Sequence, residues 1–118
     1  YFTKDHEWIE VSGEEGTVGI TDYAQGQLGD ITFVELPAAG QAVGQGDGVS
    51  VVDSVKAASD LYLPVAGTIM AVNTALEGAP ETVNSAPYAG GWMLKIKLAD
   101  PAATASLMDA AAYRNLLG

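Results

Sequence analysis

Short β-type runs, each closed by glycine or proline, recur along most of this chain and point to a β-rich core. His6-Glu7-Trp8-Ile9-Glu10-Val11 alternates polar and apolar residues, the period-two pattern of a half-buried strand. Ser12-Gly13-Glu14-Glu15-Gly16 reads as a turn, and Thr17-Val18-Gly19-Ile20 resumes the strand. Ile31-Thr32-Phe33-Val34-Glu35-Leu36 stops at Pro37. Val49-Ser50-Val51-Val52, Leu61-Tyr62-Leu63-Pro64-Val65 and Thr68-Ile69-Met70-Ala71-Val72 continue the series. In Trp92-Met93-Leu94-Lys95-Ile96-Lys97-Leu98 the alternation sets both lysines on one wet face. Val43 to Gly48 reads as turn, and Asn73 to Tyr88, with Pro80 and Pro87, as irregular.

Two helices are expected beside the strands. Thr21-Asp22 can cap the first, near 22–28, with Asp22 facing Gln25 and Gly29 as the stop. The second closes the chain: Asp100 is a suitable N-cap, Pro101 suits the first helical position, and Gly118 ends it. Leu107, Met108, Ala111 and Ala112 supply its apolar stripe. Val18-x-Ile20-x-Asp22 is echoed by Val49-x-Val51-x-Asp53, and Asp30-Ile31 by Asp60-Leu61, suggesting two related β-units. The expectation is a mainly β sandwich or flattened barrel, residues 1–118 forming one domain. The chain opens on Tyr1 rather than Met, which leaves room for preceding residues or a targeting segment.

Composition removes several classes of function. There is no cysteine, so disulfide scaffolds, thiolate metal sites and thiol nucleophiles are excluded. Net charge is −10, from 15 acidic and 5 basic residues. Nucleic acid and anionic membrane are therefore poor partners, and proteins with basic docking faces are better ones. No apolar run is long enough to span a bilayer. The sole histidine, His6, sits in a strand pattern beside Trp8, where a structural role is expected. No nucleophile elbow, P-loop or dinucleotide fingerprint is present, and no metal site is expected. Independent catalysis has little support, which leaves a carrier or an adaptor.

Lys56 gives the carrier reading a residue. It stands in Asp53-Ser54-Val55-Lys56-Ala57, between two strand-like runs and among small neighbours that leave its amine uncrowded. A rigid scaffold presenting an open amine at a hairpin tip suits covalent attachment of a swinging group that several enzymes must reach.

Longer segments extend this. Tyr1-Phe2-Thr3-Lys4-Asp5-His6-Glu7-Trp8, Val18-Gly19-Ile20-Thr21-Asp22-Tyr23-Ala24-Gln25 and Leu28-Gly29-Asp30-Ile31-Thr32-Phe33-Val34-Glu35-Leu36-Pro37 come in order. They are followed by Asp53-Ser54-Val55-Lys56-Ala57-Ala58-Ser59-Asp60 and Val83-Asn84-x-x-Pro87-Tyr88-x-x-Gly91-Trp92. With these motifs, through nearly the whole chain, the sequence resembles the H protein of the glycine cleavage system, a lipoyl carrier. The resemblance implies a lipoyl/biotinyl-type flattened barrel of two quasi-symmetric sheets and lipoic acid in amide linkage on Lys56. It also implies partners: glycine decarboxylase, aminomethyltransferase, dihydrolipoamide dehydrogenase and the lipoate-attaching enzymes. The implied role is to shuttle the aminomethyl group of glycine, and then the dithiol, between those enzymes. Glu7 and Asp60 match the family's arm-cleft carboxylates. A monomer in a bacterial cytoplasm is expected, with the mitochondrial matrix as the alternative.

The sequence departs from the family pattern at a few positions. Asp53 stands where glutamate is usual, Leu63 where serine is, and Ser85-Ala86 where an acidic residue commonly precedes Pro87. Relatives often differ at Gln27, so no cleft role is carried onto it. Biotin carriers usually flank the lysine with methionines, unlike Val55 and Ala57 here, and the lipoyl domain of a 2-oxoacid dehydrogenase usually adjoins linkers and a catalytic domain. A lipoyl-relay protein without glycine turnover stays open as the alternative.

Overall fold

The computed structural model of the chain describes residues 1–3, 6–100 and 107–117. Strand β1 (Glu7–Ser12) turns back into β2 (Glu15–Ile20), with Ser12 opposite Glu15. Gly13, at φ 63°, takes the first central position of this two-residue turn, where a positive φ is needed. Helix α1 (Asp22–Leu28) leads to β3 (Ile31–Glu35) and the two-residue β4 (Ala42–Val43). Strands β5 (Gly48–Ser54) and β6 (Ala58–Tyr62) form the lysine hairpin. After β7 (Gly67–Val72) come one-turn helices α2 (Ala75–Gly78) and α3 (Thr82–Ser85), then β8 (Leu94–Leu98) and α4 (Ala110–Leu117).

The strands form two antiparallel sheets, β1-β2-β8-β7-β4 and β3-β5-β6. Alternation explains their facing: β8 buries Leu94, Ile96 and Leu98 and exposes Lys95 and Lys97, as expected. Ile9, Val18, Ile69 and Ile96 meet Val34, Val52 and Leu61 in the core between the sheets. Each such aliphatic chain contributes about 1.5–3 kcal/mol relative to exposure. The molecule is flattened, with extents of 36 × 36 × 21 Å.

Residues 73–88 are more regular than their prolines suggest. Helices α2 and α3 insert Leu76 and Val83, both fully buried, into the core. Asn73 Nδ2 donates to the carbonyls of Gly90 and Trp92, 2.8 Å each, and ties the far end down. One-turn helices escape a periodicity argument because they offer only one core contact each. The β-units also differ from the sequence echo. Strands β2 and β3 lie in different sheets, bridged by α1, whereas β5 and β6 are neighbours in one.

The closing helix needs the largest correction. Pro101 and Gly118 lie outside the described residues. The described helix starts at Ala110, where Asp109 Oδ1 accepts from the Ala112 N–H at 2.8 Å. Its buried residue is Tyr113, while Ala111 and Ala112 are exposed. Leu107 does pack on the core, and Met108 bridges to Phe2.

Candidate functional site

Val55, Lys56 and Ala57 form the turn between β5 and β6, and all three are exposed. Ser54 organises the turn. Its Oγ accepts from the N–H groups of Lys56 (3.2 Å) and Ala57 (3.1 Å), and its own N–H donates to the Ala57 carbonyl at 2.8 Å. Small side chains flank the lysine because the backbone closes on the Ser54 hydroxyl, an ST-type turn. The strand begins earlier than expected, at Ala58, and stops at Tyr62 before Pro64, which has no N–H to extend a ladder. The described residues give Lys56 Nζ no hydrogen-bond or ion-pair partner. The amine stands clear of the core, as attachment requires.

The turn is fastened to the opposite unit. Val55 N–H donates to the Asp30 carbonyl at 3.1 Å, across to the loop that joins α1 to β3. In that loop Gly29 ends α1 with φ 78° and ψ −151°, a backbone region essentially restricted to glycine. The lysine's aliphatic stem lies over it at contact distance: a Cβ on Gly29 would stand 3.4 Å from Lys56 Cε.

Beside this junction a cavity of about 160 Å³ opens between α1 and the β5–β6 hairpin. Ile20, Ala24, Leu28 and Val52 give it apolar walls, while His6, Glu7 and Asp60 bring polar groups to it. Glu7 and Asp60, distant in sequence, thus share one lining. Their environments differ. Glu7 is buried, its Oε1 accepting from Thr3 Oγ1 at 3.0 Å and its Oε2 from the Tyr62 N–H. Asp60 is exposed, with Tyr62 Oη 3.4 Å from Oδ2. A wider hollow of about 410 Å³ along Glu35, Pro37 and Val51 also touches Asp60 but lacks Glu7.

Two lining residues escaped sequence reasoning. Gln27 joins the cavity, and so does His6, which precedes β1 rather than lying in it and takes φ 65°. His6 Nδ1 is 2.8 Å from Tyr113 Oη, which is 2.7 Å from Thr21 Oγ1. Thr21, rather than Asp22, is the N-cap of α1: its Oγ1 accepts from the Ala24 N–H at 3.2 Å. The expected Asp22–Gln25 contact is present as Gln25 Nε2 donating to Asp22 Oδ1 at 2.8 Å. Tyr113 thus joins the C-terminal helix to both cavity walls. A single tyrosine in an Ala-rich helix carries no sequence signal for such a bond.

Among the described residues no cluster of His, Asp or Glu could hold a metal ion. What the geometry offers instead is an open amine beside Gly29 and a nearby apolar chamber with carboxylates at its lining. The fold and this junction define a carrier-type β scaffold with an exposed lysine at the tip of a hairpin. Residues 1–118 match the family described as glycine cleavage H-protein, and the chain belongs to that family. A glycine cleavage system H protein from Caulobacter vibrioides is 60% identical over 117 residues, covering 99% of this chain and 97% of its own. One from Phenylobacterium zucineum is 57% identical over 112 residues, covering 95% and 93%. The crystal structure of one from Mycobacterium marinum superposes with a TM-score of 0.87 at 34% identity, covering 99% of this chain and 94% of that one. The family's role is that of a lipoyl carrier in glycine cleavage, with no catalysis of its own, and its partners lie within that system. No helix among the described residues is long and apolar enough to cross a membrane.

Proposed function

We propose that residues 1–118 act as one lipoyl-carrier domain in which Lys56 is the attachment residue and the chamber beside α1 receives the loaded arm. The observation that carries this is the open Lys56 amine, laid over Gly29 next to the cavity that Glu7 and Asp60 line. Lipoate, when bound, supplies a disulfide that can take up a carbon fragment and be reoxidised afterwards. The protein's own residues orient and shield. Ser54 holds the turn so that the amine faces an incoming active site. Ile20, Ala24, Leu28 and Val52 exclude water from a cargo that water would hydrolyse. Glu7 and Asp60 set negative charge at the same lining, where a cationic amine cargo gains charge-assisted hydrogen bonds.

The specific partners in this reading are glycine decarboxylase, aminomethyltransferase and dihydrolipoamide dehydrogenase, together with a lipoate-attaching enzyme. A net charge of −10 favours docking to basic faces on each. A bacterial cytoplasm is the setting that suits the bacterial relatives.

Intact mass before and after incubation with lipoate, ATP and a lipoate ligase tests the assignment. The wild-type chain gains one lipoyl group and Lys56→Arg gains none. A gain that persists in Lys56→Arg overturns it. With glycine decarboxylase, only the lipoylated wild-type chain supports glycine–bicarbonate exchange.

A further inference from the structure

Three consecutive residues of the α1–β3 loop are held by side-chain or hairpin contacts from elsewhere in the chain. Asn84, on α3, donates from Nδ2 to the Gly29 carbonyl at 2.8 Å and accepts at Oδ1 from the Ile31 N–H at 2.9 Å. Between them, the Asp30 carbonyl accepts from Val55 N–H, the residue before Lys56. Asn84 Nδ2 also donates to Gln25 Oε1 at 2.8 Å, and Gln25 in turn donates to Asp22. One carboxamide therefore fastens the C-terminal end of α1, the start of β3, and, through Asp30, the lysine turn. It does so from a helix that contributes no residue to the cavity lining.

We propose that Asn84 is a positioning residue for the attachment turn: by fixing the Gly29–Ile31 peptide units it sets the place and direction at which Lys56 leaves the scaffold. This rests on Lys56 being the attachment residue. The argument is one of leverage. Within the hairpin the turn closes on the Ser54 bonds, and the Val55–Asp30 bond is its outermost tie to the neighbouring segment, carrying the β3–β5 ladder one step past the Ile31–Ser54 pair. That bond is as well placed as Asp30, and Asp30 is exposed, with Asn84 binding its neighbours on both sides. The chemistry demands a carboxamide, since the same side chain must accept on one side and donate twice on the other. An ionised aspartate at this position could accept from Ile31 N–H but would set a charge against two carbonyl oxygens.

Hydrogen exchange on the full chain, unlipoylated, gives a readout independent of the arm. Asn84→Ala should speed exchange of the Val55 amide by about fivefold or more, the population ratio that one ordinary hydrogen bond maintains. The Ile96 amide, in the sheet core, should keep its wild-type rate. Asn84→Asp should behave like Asn84→Ala at neutral pH for Val55 while keeping Ile31 protected. Compared with wild type at equal pH, it should return toward normal below about pH 4, where the protonated carboxyl regains a donor. In lipoate ligation the variants should raise KM for the carrier and leave kcat unchanged. An unchanged Val55 amide, or parallel loss at Val55 and Ile96 without acid rescue, overturns the proposal. Because exchange does not involve the arm, failure of the Lys56 assignment shows separately, as lipoyl mass retained in Lys56→Arg.

Discussion

Lys56 and Gly29 come from the two different β-units, yet a methyl group on Gly29 would stand 3.4 Å from Lys56 Cε and 3.8 Å from Nζ. The glycine also holds φ 78° and ψ −151°. Gly29→Ala is expected to cost about 1–3 kcal/mol from backbone strain alone. Urea unfolding of the unmodified chain measures that cost. Lipoylation assays on the folded fraction should show acylation close to wild type, because the added methyl would meet the Lys56 stem only at ordinary van der Waals distance.

Glu7 and Asp60 share a cavity but differ in burial, and that separates their variants. Asp60→Asn is expected to leave stability within about 0.5 kcal/mol, as for most exposed positions. It should nonetheless shorten the lifetime of the loaded carrier in water. Glu7→Ala should shorten that lifetime and also destabilise the fold, since losing the acceptor for Tyr62 N–H costs about 1–3 kcal/mol. Unfolding curves beside ammonia-release kinetics resolve the two. An unchanged lifetime in both would remove the carboxylates from the arm site.

Tyr113 carries a pH signature. Burial pushes its phenol above the ordinary 10.0, with smaller like-charge contributions from Tyr88 and Tyr23, while the Thr21 hydrogen bond opposes the rise. An acid whose folded pKa is raised stabilises the fold below its unfolded value and loses that contribution as pH climbs through the folded one. Stability should therefore fall above pH 10 in the wild type. Tyr113→Phe keeps the Phe2 stack, with centroids 4.6 Å apart, and should flatten this decline. At neutral pH it should cost about 1–2 kcal/mol, because Thr21 and His6 lose the shared hydroxyl. Chemical denaturation at pH 7 and at stepped alkaline pH measures both.

Gly19 faces Trp8 across the β1–β2 ladder, and an added Cβ would meet the indole nitrogen at 2.8 Å. Gly19→Ala must displace an indole whose N–H donates to the Pro87 carbonyl at 3.0 Å. Overpacking of this kind costs about 1–3 kcal/mol. In a Trp92→Phe background, Trp8 emission should shift to the red as the displaced, normally buried indole meets water.

Much of this was legible from residue pattern. Alternation located β1, β5 and β8, and the lysine turn announced itself because small residues surround the lone cation between two strands. Glu7 and Asp60 could be named only by resemblance to a family, since nothing local says that residues so far apart share a lining. Asn84, Tyr113 and His6 act through hydrogen bonds to groups distant in sequence, and such bonds leave no periodic trace. The one-turn helices of 73–88 were hidden for a related reason: Leu76 and Val83 are isolated apolar residues in a proline-marked stretch.

Helix α1 is moored at both extremities, by Thr21 and Tyr113 at its start and by Asn84 at Gly29 and Gln25. Both ends of that wall therefore depend on side chains from outside the helix's own turns. If the loaded arm rests behind it, those two moorings set how wide the chamber stands.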